Sequence, residues 1–255
     1  MLNPVRTPSQ TSPAYVEVAP PTALREFVER LWIHRIAGPT PPDGRRLLPD
    51  GRMTLVWIGG LGVRISGPQT RYTERADLPP MVVLGATFLP GTAPQLLRAP
   101  AADFINHHIA LDDIDSGLAR RLDERLANSL TVADALAALA DELARYLRTS
   151  PQPDRVVRDA VTWLDHATAK VSDAAALALV SERELQRRFV EQIGYGPKTL
   201  HRVLRFQRFM RQLTLPNIDL AAAAAVAGYA DQAHLSRETR RLAGLTPRQL
   251  RGWRH

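Results

Sequence analysis

The chain of 255 residues contains no cysteine. That excludes disulfides, thiolate zinc sites, thiol redox sensing and catalysis by a cysteine nucleophile. No apolar run reaches the ~18 residues needed to span a bilayer. The polar, proline-rich residues 1–13 lack the apolar core of a signal peptide, so a cytoplasmic location is the expectation. No glycine-rich phosphate loop and no Gly-x-Ser-x-Gly elbow occurs. The one cluster with the composition of a metal or acid–base set is His107 and His108 with Asp103, Asp112 and Asp113. Neighbouring histidines in a strand point to opposite faces, so neither a metal nor a cofactor is expected there. His34, between Ile33 and Arg35, reads as a strand residue. With no convergent catalytic set, the chain is not expected to be an enzyme.

What the chain has is an uneven charge. Residues 1–150 carry 16 Lys and Arg against 16 Asp and Glu; residues 151–255 carry 17 against 10 and hold the whole net charge of +7. A neutral first part joined to a basic last part suggests a sensing or assembly module ahead of a polyanion-binding module.

Residues 1–20 hold several prolines and read as a flexible tail. Over 21–36, Leu24, Phe27, Val28, Leu31 and Trp32 recur at helical spacing, predicting a helix that turns into a strand near Trp32. After a Pro/Gly-rich loop at 38–44 the period shortens to that of strands. Residues 46–49 and 53–58 predict a hairpin about Asp50-Gly51. Residues 62–66, 71–75 and 81–88 are further strand candidates, and a short helix is expected to end near Leu97. Short strands with this punctuation close naturally into a barrel or sandwich. Helical runs follow at 114–126 and 131–147. In the second, Val132, Leu136, Leu139, Leu143 and Leu147 form a stripe expected to pack within its own chain. Trp32 and Trp57 sit in apolar strand segments and are either core residues or the lining of an effector pocket. Pro151 and Pro153 mark a linker.

The remainder reads as helix and contains a repeat. Ser181-Glu-Arg-Glu-Leu-Gln-Arg-Arg-Phe189 runs on to Gly194 and Pro197. Asp231-Gln-Ala-His-Leu-Ser-Arg-Glu-Thr239 runs on to Gly244 and Pro247. Each copy follows an alanine-rich segment. A short apolar helix, a turn and a capped basic helix make a helix-turn-helix, and two in tandem suggest a grip on DNA at two places. Ser181 caps the first recognition helix and Glu184 would complete a capping box. Leu185 and Phe189 face inward, and Gly194 ends the helix in the left-handed region. The opposite face presents Arg183, Gln186 and Arg187, which suit guanine and adenine edges in the major groove. The second copy presents Gln232, His234, Ser236 and Arg237. A connecting helix over 197–213 would be roughly 25 Å long, suited to recognition helices in groove segments ~34 Å apart. Its Lys198, Arg202 and Arg205, with Ser181, are placed to meet phosphates. The bland reading of the same pattern is a helical bundle with a solvated basic face.

These residues resemble the DNA-binding domain of AraC/XylS-type transcriptional regulators, over the last 105 residues. The phrase Gly228-Tyr-Ala-Asp-Gln-Ala-His-Leu-Ser-Arg237 with Gly244-Leu-Thr-Pro247 is similar to that family's signature, and residues 181–189 are similar to its first recognition helix. The resemblance implies base contacts from Arg183, Gln186, Arg187, Gln232, His234, Ser236 and Arg237. Two positions depart from the pattern. Thr239 stands where the family usually has an aromatic, and Leu179 stands where the first motif usually has a turn glycine. Residues 48–51 (Leu-Pro-Asp-Gly) and 85–91 (ending Leu-Pro-Gly) resemble an uncharacterised module found ahead of this domain, which implies an effector-sensing or dimerising β domain. Some relatives carry a DNA-repair alkyl acceptor, a chemistry that needs cysteine.

The expectation is an α+β chain: a flexible tail (1–20), a β-rich, barrel-like sensory or assembly domain ending in two helices (21–150), and an all-α tandem helix-turn-helix domain (151–255). It is expected to act as a sequence-specific, effector-responsive DNA-binding regulator of transcription. Expected partners are double-stranded DNA, RNA polymerase, a small-molecule effector and a second copy of the chain, with no membrane. The alternative is an effector-binding protein whose helical domain chiefly contacts protein.

Overall fold

In short segments of alternating apolar residues the described residues form eight strands: β1 (Tyr15–Val18), β2 (Val28–Ile36), β3 (Arg46–Leu47), β4 (Thr54–Ile58), β5 (Gly62–Ser66), β6 (Thr73–Glu74), β7 (Met81–Phe88) and β8 (His108–Ala110). The computed structural model describes residues 15–38, 46–74, 79–216 and 218–251. Six strands form one antiparallel sheet in the order β1-β2-β7-β4-β5-β8, and β3 pairs with β6 apart from it. Among the described residues β1 and β8 remain edges, so the sheet is β-rich and open rather than a closed barrel.

One face of this sheet is covered by helices. After the short α1 (Ala93–Leu97) come α2 (Ser116–Ala127) and α3 (Val132–Leu147). Leu31, Ile33, Leu55, Trp57, Ile65, Leu84 and Phe88 from the strands meet Leu118, Leu122, Leu126, Leu139, Leu143 and Leu147 in one core. Each such side chain contributes about 1.5–3 kcal/mol by leaving water. The apolar stripe of α3 therefore serves its own chain, and Thr131 with Asp134 closes a capping box at its start. Trp57 Nε1 donates to Asp123 Oδ1 at 2.8 Å, which satisfies the one polar atom of a buried indole. Glu142, 1% exposed, receives Arg121, Arg125 and Arg145 and ties α2 to α3.

Three local expectations are corrected. The helical spacing over 21–36 gives only a 3-10 turn at Thr22–Leu24, and the strand starts at Val28. A bulge between Val28 and Arg30 puts Val28 and Leu31 on the same side, and a bulge that moves a strand by one residue mimics an i, i+3 period. The hairpin about Asp50-Gly51 is not formed, because Arg46 and Leu47 pair with Glu74 and Thr73 instead. The hairpin in this region joins β4 to β5, with Leu61 N donating to Ile58 O at 2.9 Å. Residues 15–18, expected in the tail, pair with β2. Residues 1–14, most of the 38–44 loop, Arg75 and Trp253 lie outside the described residues.

The last hundred residues are helical: α4 (Arg155–Leu164), α5 (Val171–Leu177), α6 (Glu182–Ile193), α7 (Pro197–Leu213), α8 (Leu220–Ala227), α9 (Gln232–Ala243) and α10 (Pro247–Arg251). They enclose two cores. Val157, Leu164, Ala174, Leu185, Phe189, Ile193, Leu200 and Leu204 form the first. Val203, Phe206, Phe209, Ala223, Ala227, Leu235, Leu242 and Leu250 form the second. Helix α7 supplies both. Arg208 braces the junction: it donates from Nη1 to Asp165 O at 2.8 Å, just past α4, and from Nε to Ala227 O at 3.4 Å, ending α8.

The sheet region rests against this helical pair. Gln207 Nε2 donates to Pro49 O at 2.6 Å, and a Cβ on Gly51, at φ +81°, would come within 2.7 Å of Leu200. Arg52 holds that loop by donating to Asp50 O and to Glu29. Arg46 Nη1 donates to Ala243 O at 3.0 Å, while Tyr72 lies against Gly244. Pro68 and the Ala101 carbonyl lie against Gly194. Phe206 is fully buried and belongs to the second core, so Phe206→Ala should lower unfolding free energy by about 3–5 kcal/mol, read from the urea midpoint at unchanged slope.

Candidate nucleic-acid interface

Helices α6 and α9 are built alike. Ser181 Oγ accepts the Glu184 amide, and Asp231 Oδ1 accepts the His234 amide, so each helix begins on a side-chain cap. Each ends on a left-handed glycine, Gly194 at φ +99° and Gly244 at φ +67°. The buried sides are Leu185, Phe189 and Ile193 in α6, and Leu235, Thr239 and Leu242 in α9. Thr239 is fully buried and donates to Ser236 O. The reciprocal half of the expected box at Ser181 is not made, because the Glu184 carboxylate turns to Arg187 and Arg188.

The turns before the two helices also match. Val180 N donates to Ala175 O and Tyr229 N to Ala224 O, both at an i−5 spacing. The residue at the bend is Leu179 at φ +55° in the first motif and Gly228 at φ +89° in the second. Leu179 thus takes the left-handed conformation that its position asks of a glycine, with its side chain 92% exposed. That strain is of order 1–2 kcal/mol for a residue with a Cβ.

Arg183, Gln186 and Arg187 are exposed on α6, as are Gln232 and Arg237 on α9. Arg187 is not idle: it donates to Glu184 at 2.8 and 3.0 Å and to Glu191 at 3.3 Å. Hydrogen bonds from Arg187 and then Arg188 hold the Glu184 carboxyl down to about 2. Exposed pairs of this kind are weak, so they orient Arg187 without withholding it. Arg188 Nη1 donates to Asp154 Oδ2 at 2.8 Å and fastens α6 to the cap of α4. Gln186 lies at the α6–α7 junction, where a Cβ on Gly196 would collide with its amide.

Ser236 and His234 are half-buried. His234 turns toward α7: its ring meets Tyr229 edge-on at 5.2 Å, and its Nε2 is 3.4 Å from Arg205 Nη1. Arg205 also lies over the Tyr229 ring at 5.7 Å. Arg202 Nε faces Glu238 Oε2 at 3.3 Å. Lys198 is exposed and Ser181 is exposed at the start of α6. Tyr229 and Glu238 escaped the sequence reading; the signal that could have found Glu238 is its spacing of four from His234 on one side of α9.

Trp32 and Trp57 do not share a pocket. Trp32 pairs with Gly85 and Trp57 with Leu84 on the same central strand, so the rings stand on opposite faces of the sheet. Trp57 is core, while Trp32 lies across Gly85 and donates to Thr87 Oγ1 at 3.1 Å. Among the described residues no three His, Cys, Asp or Glu side chains gather to hold a metal ion, and no helix is long and apolar enough to cross a membrane.

A helix-turn-helix domain family matches residues 174–252, spanning both motifs. The C-terminal region is thus a helix-turn-helix domain. A domain of unknown function, DUF6597, matches residues 16–110, the sheet region. Curated proteins gave no match. Among solved structures, the C-terminal domain of AraT, a response regulator from Geobacillus stearothermophilus, is 21% identical, with a TM-score of 0.37 over 40% of this chain and 87% of that one. ToxT from Vibrio cholerae O395 is 9% identical, with a TM-score of 0.44 over 89% of this chain and 99% of that one. The match gives residues 174–252 a helix-turn-helix domain, a fold that places a helix in the major groove of DNA.

Leu179→Gly should raise unfolding free energy by about 1 kcal/mol, since it removes left-handed strain at no packing cost; equilibrium urea unfolding measures this. His201, half-buried on α7, has its pKa lowered from 6.5 to about 4 by burial and then by Arg205 and Arg208. Its neutral form is favoured in the fold, so its contribution to stability is complete above pH 6.5 and is lost as pH falls toward 4. His201→Gln should flatten the stability profile across that window in thermal melts.

Proposed function

We propose that the chain is a sequence-specific, effector-responsive regulator of transcription that reads two segments of one major groove with α6 and α9. The observation that carries this is the shared helix α7, which belongs to both helix-turn-helix cores and so presents two capped, basic helices as one body. Arg183, Gln186 and Arg187 read bases from α6. Gln232, His234, Ser236 and Arg237 read them from α9, with Arg237 and Gln232 the freest to reach. Ser181, Lys198, Arg202 and Arg205 meet phosphates and fix register.

In this reading residues 151–255 are the reader and 21–150 the sensory or assembly part. An effector acts through the contacts that Pro49, Gly51, Pro68 and Tyr72 make with α7 and with the ends of α6 and α9. The chain is a regulator and not an enzyme, works in the cytoplasm where the duplex is, and meets RNA polymerase and a second copy of itself there.

Arg187→Ala or Arg237→Ala should each cost about 1–3 kcal/mol of binding to the cognate duplex and relax base choice at one position. Footprinting supplies the site, and gel-shift titration on cognate and scrambled duplexes measures the loss. Equal loss on both duplexes would sink the base-reading assignment. Absence of a protected site would favour a helical domain that contacts protein.

A further inference from the structure

We propose that the cleft between α7 and α9 is a binding site for a single phosphate-type oxyanion. The cleft encloses about 250 Å³ and is lined by Lys198, His201, Arg202 and Arg205 of α7 and by His234 and Glu238 of α9. The four α7 residues fall at helical spacing on one stripe, and the two α9 residues are four apart on the facing stripe. Three permanent cations therefore face one carboxylate, and Arg202 already stands at ion-pair distance from it.

The walls hold polar atoms that lack partners among the described residues. Arg205 Nε and His201 Nε2 are buried without an acceptor or donor, as is the hydroxyl of Tyr229, whose ring lies beside Arg205 and His234. Glu238 Oε2 is buried too and has the Arg202 charge nearby without a hydrogen bond. An arginine Nε can only donate, and leaving it buried and unpaired keeps the whole desolvation cost. An acceptor entering the cleft removes that cost. The donors approach from two helices and several directions, which suits a tetrahedral anion with acceptors on every side.

The site would report its own occupancy. The groups acting on the His201 ring are Arg205 and Arg208 on its own helix and the His166 backbone just past α4, while Lys198, Arg202, His234 and Glu238 line the same cleft. Burial and the two arginines keep this imidazole neutral, and an anion beside it favours the return of a proton. Two sources share the chemistry: a backbone phosphate of bound DNA, and a free phosphate or phosphorylated small molecule. Only the choice of source rests on the DNA-reading proposal.

The test is histidine-ring NMR of the full chain, titrated with inorganic phosphate against chloride at equal ionic strength. His201 and His234 signals should shift saturably with phosphate alone, and the His201 pKa should rise by about one unit. Lys198→Ala, an exposed change that leaves the fold intact, should weaken the response, and Arg205→Gln should abolish it. Signals that phosphate moves no more than chloride, or a response untouched by both substitutions, overturn the proposal. A duplex that produces the same shifts, competes with phosphate and loses about 0.9 of its log–log salt slope in Lys198→Ala identifies the backbone as the source. A phosphate response that persists with duplex bound identifies the free anion. A chain carrying both Arg187→Ala and Arg237→Ala should keep the phosphate response, so failure of the base-reading assignment would leave this result standing.

Discussion

Helix α7 is buried from two sides at once. Leu200 and Leu204 enter the core of the first helix-turn-helix, and Val203, Phe206 and Phe209 enter the core of the second. A helix clamped this way cannot roll toward one partner without opening a gap against the other, because packed interiors tolerate little change in volume. Arg208 extends the constraint to the backbone by bonding carbonyls on both sides of the junction. The relative pose of α6 and α9 is thus set by their packing against one shared helix.

The electrostatics of the proposed reading surface are less generous than the net charge of +7 suggests. Arg187 and Arg188 are engaged by Glu184, Glu191 and Asp154, and Arg202 by Glu238. Carboxylates beside the cations lower non-specific attraction to any polyanion while costing little when a well-placed acceptor displaces them. In the proposed function, such a surface would discriminate between a duplex that satisfies each arginine and one that offers charge alone.

The helical half was legible because its signals are local. The caps Ser181 and Asp231, the stops Gly194 and Gly244, and the alternation of Leu185, Phe189, Leu235 and Leu242 place α6 and α9 without reference to the rest of the fold. Leu179 stood out only through the resemblance, which usually has a turn glycine there; the left-handed φ of +55° that it takes comes from the structure. The sheet region was read less well where long-range pairing decides. Arg46 and Leu47 chose Glu74 and Thr73 over the strand beyond Asp50-Gly51, and the bulge near Val28 imitated a helical period. Trp32 and Trp57 looked equivalent in the sequence, and only the registers against β7 show that they face apart. At the reading surface, the inward turn of His234 depends on Tyr229 and Arg205, groups brought to it by folding.

One short stretch of the sheet region deserves a mechanical view. Pro68 abuts the glycine that closes α6, and Tyr72, four residues on, abuts the glycine that closes α9. Both glycines are crowded enough that an added methyl group would strike its neighbour, so the fit has no slack. The stretch works like the bar of a caliper whose jaws rest on the butt ends of the two probes. Shifting or tilting that bar by a fraction of an ångström would alter the gauge between the tips, and under the proposed function a ligand that moved it would change which spacing of DNA sites the protein accepts.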